Sequence, residues 1–129
     1  YAQSDFNVMD AVNGAAWQAW GFGPRLLDDA GGAITEFDSA IKGKNPRSAV
    51  GYYEPGHYCF ITVDGRQKGY SVGMTLAELA QVFANLGCKA AFNLDVGATA
   101  EMLFQGELVN KPYKGGRESG DIICFGEDF

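Results

Sequence analysis

Asp95 ends an apolar run, AAFNL at 90–94, and is followed by Val96, Gly97, Ala98, Thr99 and Ala100 before a second apolar run at 102–104. A carboxylate at the mouth of a buried strand accepts backbone N–H groups and holds a loop in shape. The same group orients a ligand hydroxyl, binds a cation, or serves as general acid or base. Gly97 permits positive φ and close approach of a ligand. Thr99 supplies a hydroxyl, and successive N–H groups of such a loop form an anion-binding nest. Two arginines occupy comparable junctions: Arg47 follows Asn45-Pro46 and opens a strand, and Arg117 follows Gly115-Gly116 and precedes Ser119-Gly120-Asp121. Neither lies in a run of solvated charge, and a guanidinium suits a planar, two-pronged grip on phosphate or carboxylate. Pairing with one of the sixteen acidic residues is the commoner role for either arginine alone.

These residues need elements to position them. The spacing predicts a helix at 75–86. Thr75 and Glu78 form a capping box, Leu76, Leu79, Ala80, Phe83 and Leu86 share a face, and Gly87 supplies the left-handed stop. Residues 48–53 and 58–63 read as strands joined by the turn Glu54-Pro55-Gly56-His57, and Asp64-Gly65 marks a tight turn with positive φ. Residues 88–94 are apolar on both alternating faces, as in a central strand. A hairpin over 100–109 turns at Gln105-Gly106-Glu107, and 122–125 reads as a final strand. Residues 25–28 and 33–37 read as short strands around a turn at 30–32. Trp17, Trp20 and Phe22 cluster before Gly23-Pro24, either pressed on a core or offering a face to a sugar ring. The fold class is α+β: a mainly antiparallel or mixed sheet packed against one clear helix (75–87), in a single domain over residues 1–129.

Composition narrows the function. The chain has 129 residues, a net charge of −6 and no Lys/Arg run, which argues against phosphate-driven nucleic-acid binding. No apolar stretch approaches the ~20 residues that span a bilayer, and the first residues do not read as a signal peptide. The 18 glycines suit a strand-rich fold with many turns. Cys59, Cys88 and Cys124 sit in apolar settings without metal spacing and read as packing residues, so a disulfide scaffold is not expected. His57 lies in a turn without a second histidine, and no cofactor is implied. A divalent cation near Asp95, Asp64 or Asp121 would find oxygen ligands, although no Asp-rich loop gathers them.

Three stretches together, FGPRLLDDAG, NPRSAVGYYEPGHYCFITVDGRQKGYSVGMTLAELAQVFANLGCKAAFNLD and GELVNKPYKGGRESGDIICF, resemble the phosphodiester glycosidase domain. That domain occurs in many bacterial proteins and in the mammalian lysosomal uncovering enzyme, which removes N-acetylglucosamine from a mannose-phosphate diester. The resemblance runs from about residue 17 to 125. Asn45-Pro46-Arg47, Asp64-Gly65-Arg66, Gly73-Met74-Thr75, Asn93-Leu94-Asp95, Asn110 with Pro112, and Arg117 with Asp121 match its motifs. It implies that these loops gather at one pocket for a phosphodiester and its sugar, with Arg47 and Arg117 on the phosphate and Asp95 as acid/base or sugar-orienting group. Asn93, Gly97, Thr99, Asn110 and Asp121 would bind substrate. Asp121 and Asp64 are the candidates for a second carboxylate, which glycosidases usually need.

Two departures accompany the resemblance. The family follows Asn-Leu-Asp with Gly-Gly-Gly-Ser-Ser, whereas this chain has Val96-Gly97-Ala98-Thr99-Ala100; positive φ at 96 or 98 would strain each by roughly 1–2 kcal/mol. The family's earlier strands and Asn-Gly-Gly-Phe segment also have no counterpart before Trp17. Two functions are therefore expected: a non-catalytic or weakly active glycan- or phosphate-binding or self-assembling relative, or a hydrolase of a sugar-phosphodiester bond. A sheet lacking those strands would expose an edge that invites a second copy or a partner strand. The resemblance favours an extracellular or cell-surface location.

Overall fold

The computed structural model describes residues 7–16 and 21–126. A short N-terminal helix, α1 (Val8–Asn13), is followed by β1 (Arg47–Glu54), β2 (His57–Val63), α2 (Leu76–Asn85), β3 (Ala90–Val96), β4 (Leu103–Phe104), β5 (Glu107–Leu108) and a single 3-10 turn, Tyr113–Gly115. The fold is α+β and dominated by antiparallel sheet. β1 lies in the middle of a three-stranded sheet of order β2-β1-β3, and β4 and β5 form a separate hairpin.

The β1–β2 hairpin forms where a β-rich run meets Pro55 and Gly56, the latter at φ +78. Proline before a left-handed glycine is the signature of a type II turn. α2 carries the predicted capping box: the Thr75 hydroxyl accepts from the Glu78 N–H at 3.1 Å, and the Glu78 carboxylate accepts from the Thr75 N–H at 2.8 Å. Gly87, at φ +77, ends it. Leu76, Leu79, Ala80 and Phe83 are wholly buried against Leu26, Leu27, Ala49, Cys88 and Ala91. Leu86 falls beyond the last helical turn and is half exposed, contrary to its expected place on the apolar face.

β3 has a neighbour on both sides, as its apolar sequence predicts, but only one is a regular strand. On its far side Leu26 N–H donates to Ala91 O, Asn93 N–H to Pro24 O and Gly23 N–H to Asn93 O, at 2.8–3.0 Å. The 25–28 and 33–37 segments contribute isolated bridges at Arg25, Leu27 and Ala33 rather than strands. Residues 122–125 form no strand either. Ile122 is exposed, and Phe125 instead lays its ring on Phe60, with centroids 4.6 Å apart. Trp17 and Trp20 lie outside the described residues.

The feature that matters for function is where β3 leaves the sheet. Ala49 pairs with Asn93 and Arg47 with Val96, so a two-residue step on β1 faces a three-residue step on β3. The extra residue is a β-bulge at Leu94-Asp95. Bulges break the alternation and re-aim a side chain, which is why the apolar strand exits through an aspartate.

Candidate functional site

The bulge delivers Asp95 to the mouth of β3, where its carboxylate organises the following loop. Oδ1 accepts the Val96 N–H at 2.7 Å, and Oδ2 accepts the Thr99 hydroxyl at 2.8 Å. Among residues 95–99 only Gly97 has positive φ, at +94, so Val96 and Ala98 escape the left-handed strain that an all-glycine loop would have implied. Oδ2 also accepts Arg117 Nη2 at 3.3 Å. Arg117 reaches it from a chain reversal at Gly115 and Gly116, at φ +81 and +95. Its own N–H donates to Glu101 Oε1 at 2.9 Å, and the Glu101 carboxylate fills the space where a Gly116 side chain would project. Two carboxylates thus bracket Arg117, Asp95 on its guanidinium and Glu101 on its backbone.

A second guanidinium lies on the same loop. Arg66 sits at φ +55, a conformation that non-glycine residues seldom adopt. Its Nε and Nη2 donate to Asn45 Oδ1 at 3.1 and 2.7 Å, and the Tyr113 ring lies 5.6 Å from its Cζ. Nη1 is 3.1 Å from where a Cβ on Gly97 would stand, so glycine at 97 makes room for the arginine. Gly65 has the same kind of role: a Cβ there would meet Pro46 N at 2.5 Å. The Asp64-Gly65 turn therefore needs its glycine for space, and the positive φ falls on Arg66 instead.

Arg47, expected at the phosphate, lies in the interior. Its Nε donates to Met74 O at 3.0 Å, and Nη2 donates to Ile41 O and Gly43 O at 2.6 Å each. Nη1 is buried without a partner. Burial, and then the neighbouring positive charge of Arg66, pull its pKa below the ordinary arginine value. Asn93 is also fully enclosed, donating from Nδ2 to Gly23 O and Leu94 O at 2.9 and 2.7 Å. It ties the 23–24 segment to β3 and presents no face to solvent. Asp121 is exposed and makes no hydrogen bond among the described residues. The structure thus brings together Asp95, Gly97, Thr99 and Arg117. Arg47 pairs across the sheet with Val96 but, like Asn93, keeps its side chain enclosed, and Asp121 is exposed.

Asn110 and Asp64 form a brace beside the loop. Asn110 Nδ2 donates to Asp64 Oδ1 and to Ala100 O, both at 2.8 Å, while its Oδ1 accepts the Met102 N–H at 2.9 Å. Asp64 also accepts the Lys111 N–H and the Tyr70 hydroxyl. Burial disfavours the Asp64 charge more than any other single influence. Donors from Asn110, Lys111 and Tyr70 together outweigh it, so the pKa falls below the usual carboxylate range. A depressed folded-state pKa gives stability that is present above the unfolded value and is lost as pH falls through the folded one. Stability should therefore decline below about pH 4 in the wild type, and Asp64→Asn should be less stable at neutral pH with a shallower acid limb. Urea midpoints between pH 7 and pH 3 check this; parallel curves for both proteins would contradict it.

Among the described residues, no three His, Cys, Asp or Glu side chains group as metal ligands. A broad, open hollow of about 700 Å³ lies elsewhere, lined by Glu36, Asp38, Lys42 and Thr75 among others. It contains none of the Asp95 cluster. Arg66, Glu101 and Tyr113 are the site residues not singled out for this role from sequence. Arg66 had a signal in the Asp-Gly-Arg turn, and Glu101 in being the sole charge within the 100–104 run.

At the end of β3, then, the Asp95 carboxylate carries the exposed Arg117 guanidinium, and a second exposed guanidinium, Arg66, stands against Gly97, on an α+β scaffold. The chain belongs to the phosphodiester glycosidase family, whose sequence pattern matches residues 3–126. Among solved structures it is similar to a hypothetical protein from Synechocystis, at 27% identity over 75% of this chain and 19% of that one, with a TM-score of 0.60. It is also similar to a protein of Burkholderia pseudomallei K96243 named as exported, at 39% identity over 54% of this chain and 13% of that one, with a TM-score of 0.50. The chain thus spans less than a fifth of either structure. None of the curated proteins compared with it matches.

Proposed function

We propose that this chain binds a sugar phosphodiester at the 95–99 loop and turns it over weakly or not at all. Arg66 and Arg117 hold the phosphate, and Asp95 with Thr99 faces the sugar. The observation that carries this reading is the Arg117 guanidinium on Asp95 at the β3 bulge, with Arg66 against Gly97 two residues further on. Both arginines are exposed and pre-positioned, Arg66 by Asn45 and Arg117 by Glu101. A phosphate can therefore engage them at little ordering cost. Weak turnover follows from Asp95 itself: its carboxylate already accepts three hydrogen bonds, from the Val96 N–H, the Thr99 hydroxyl and Arg117, which leaves about one acceptor position for a substrate proton. The exported neighbour supports an extracellular place for this activity, and no helix among the described residues is long and apolar enough to cross a membrane.

A second reading, hydrolysis, is favoured by one observation: Glu101 and Asp95 bracket the same arginine, which supplies the two carboxylates that glycoside cleavage uses. One experiment addresses both. Calorimetric titration with a chromogenic sugar phosphodiester should show affinity falling about tenfold or more in Arg66→Ala and in Arg117→Ala, each losing a charge-assisted contact. Unchanged affinity in the double variant would overturn the site. Dye release that is abolished by both Asp95→Asn and Glu101→Gln would establish the hydrolase, whereas release that survives Asp95→Ala would remove Asp95 from the chemistry.

A further inference from the structure

Cys59 and Cys88 sit in apolar settings that read, in sequence, as packing. The fold brings them together. Cys59 on β2 lies opposite Gly51 of β1, and Ala91 of β3 lies opposite the same glycine on its other side. Cys88 enters β3 just before that point. Both sulfurs converge over the bare face of Gly51, where a Cβ would stand 2.8 Å from each. The Sγ atoms are 3.7 Å apart, and both thiols are free. The sulfurs are already in contact, and closing to the bonding separation of about 2.05 Å draws β2 and the 88–90 segment together over Gly51, whose missing side chain leaves the space for it.

We infer that Cys59 and Cys88 are a disulfide-forming pair, bridging the edge strand β2 to the entry of β3 across β1. The two thiols differ in access. Cys88 is almost wholly buried, while Cys59 is partly exposed. Burial also raises the Cys88 pKa, which leaves Cys59 to react first with a small oxidant. With glutathione disulfide as oxidant, the Cys59 thiolate attacks one sulfur and releases one glutathione. The Cys88 thiolate then attacks Cys59 Sγ and releases the second. Two protein thiols are oxidised, one glutathione disulfide is reduced to two thiols, and the two thiol protons pass to the departing glutathione through solvent. The closed loop encloses Arg66, Gly73 and all of α2, so the bridge fastens the elements that present Arg66 to the 95–99 loop. Closing a loop of this length restricts the denatured chain and raises the unfolding midpoint.

The whole chain, carrying Cys124→Ser to remove the exposed third thiol, is equilibrated in glutathione buffers from reducing to oxidising. It is then unfolded in iodoacetamide and mapped by mass spectrometry. The expected result is one cross-linked peptide pair containing Cys59 and Cys88, with the intact mass lower by about 2 Da for the two lost hydrogens. A rise in the thermal midpoint should accompany it, and should be absent from Cys59→Ala and Cys88→Ala. Two alkylated thiols at the most oxidising ratio, or glutathione retained on Cys59 without resolution, would overturn the inference. The readout is independent of ligand binding, so the anion site and the disulfide stand or fall separately.

Discussion

Truncation of Arg47 to alanine is expected to lower folding stability by about 3–4 kcal/mol while acting on the ligand only through loss of the fold. The side chain is wholly buried and joins the carbonyls of Ile41, Gly43 and Met74, fixing the 41–47 segment to the start of α2. Removing it leaves a cavity the length of an arginine stem and deletes three charge-assisted bonds. Part of that loss is offset. Asn45 supplies each of the three carbonyls with another donor, its Nδ2 to Ile41 and Gly43 and its N–H to Met74. A buried positive charge with one unpartnered nitrogen is also removed. Arg47→Met refills much of the volume without the donors, so it should lose only about 1–2 kcal/mol. Urea unfolding of the three proteins, with ligand titration of the folded fraction, tests this. Undiminished stability together with lost binding in Arg47→Ala would return the guanidinium to the site where its sequence neighbours suggest it belongs.

Gly73→Ala should be comparably damaging, and its effect should reach the site. Gly73 has φ +91, and an added Cβ would collide with the Asn45 backbone carbonyl. The two segments are laced there by Asn45 N–H to Met74 O and Met74 N–H to Asn45 O, both 3.1 Å. The methyl group must push them apart. Steric overpacking on top of an unfavourable φ should cost about 3 kcal/mol. Because Asn45 Oδ1 holds both Nε and Nη2 of Arg66, the displacement should also loosen that arginine and weaken anion binding in the protein that remains folded. Gly69→Ala is the control: its φ is similar, at +83, but nothing lies within 4 Å of the added Cβ. It should lose only about 1 kcal/mol and leave binding intact. Equal losses in the two variants would mean that the 45–74 contact does not position Arg66.

Local patterns settled the elements whose causes are local. The capping box at Thr75 and Glu78, the apolar spacing of α2 and the Pro55-Gly56 turn act within a few residues of one another, and the structure reproduces them. The strand expected at 122–125 had the right composition but found no pairing partner among the described residues. Strand formation depends on a neighbouring edge that no local run of letters contains. Gly65 shows the same limit on a smaller scale. A glycine after an aspartate reads as a left-handed turn, yet here it is required because Pro46 passes against it and Arg66 takes the positive φ.

The α+β class, the helix and its cap, and the β1–β2 hairpin were legible in the letters, because each follows from periodicity, capping chemistry or turn residues close along the chain; the strand read at 88–94 runs instead from Ala90 to Val96, with Asp95 inside it and only Ala91 and Asn93 buried. Which charges meet depended on the folded chain. The β3 bulge turned Asp95 toward Arg117, the 41–43 carbonyls drew Arg47 into the interior, and the Gly65 and Gly97 gaps let Arg66 reach the loop. A side chain's role depends on where its charged end finds partners, and for a long arginine those partners lie on segments far away in the chain.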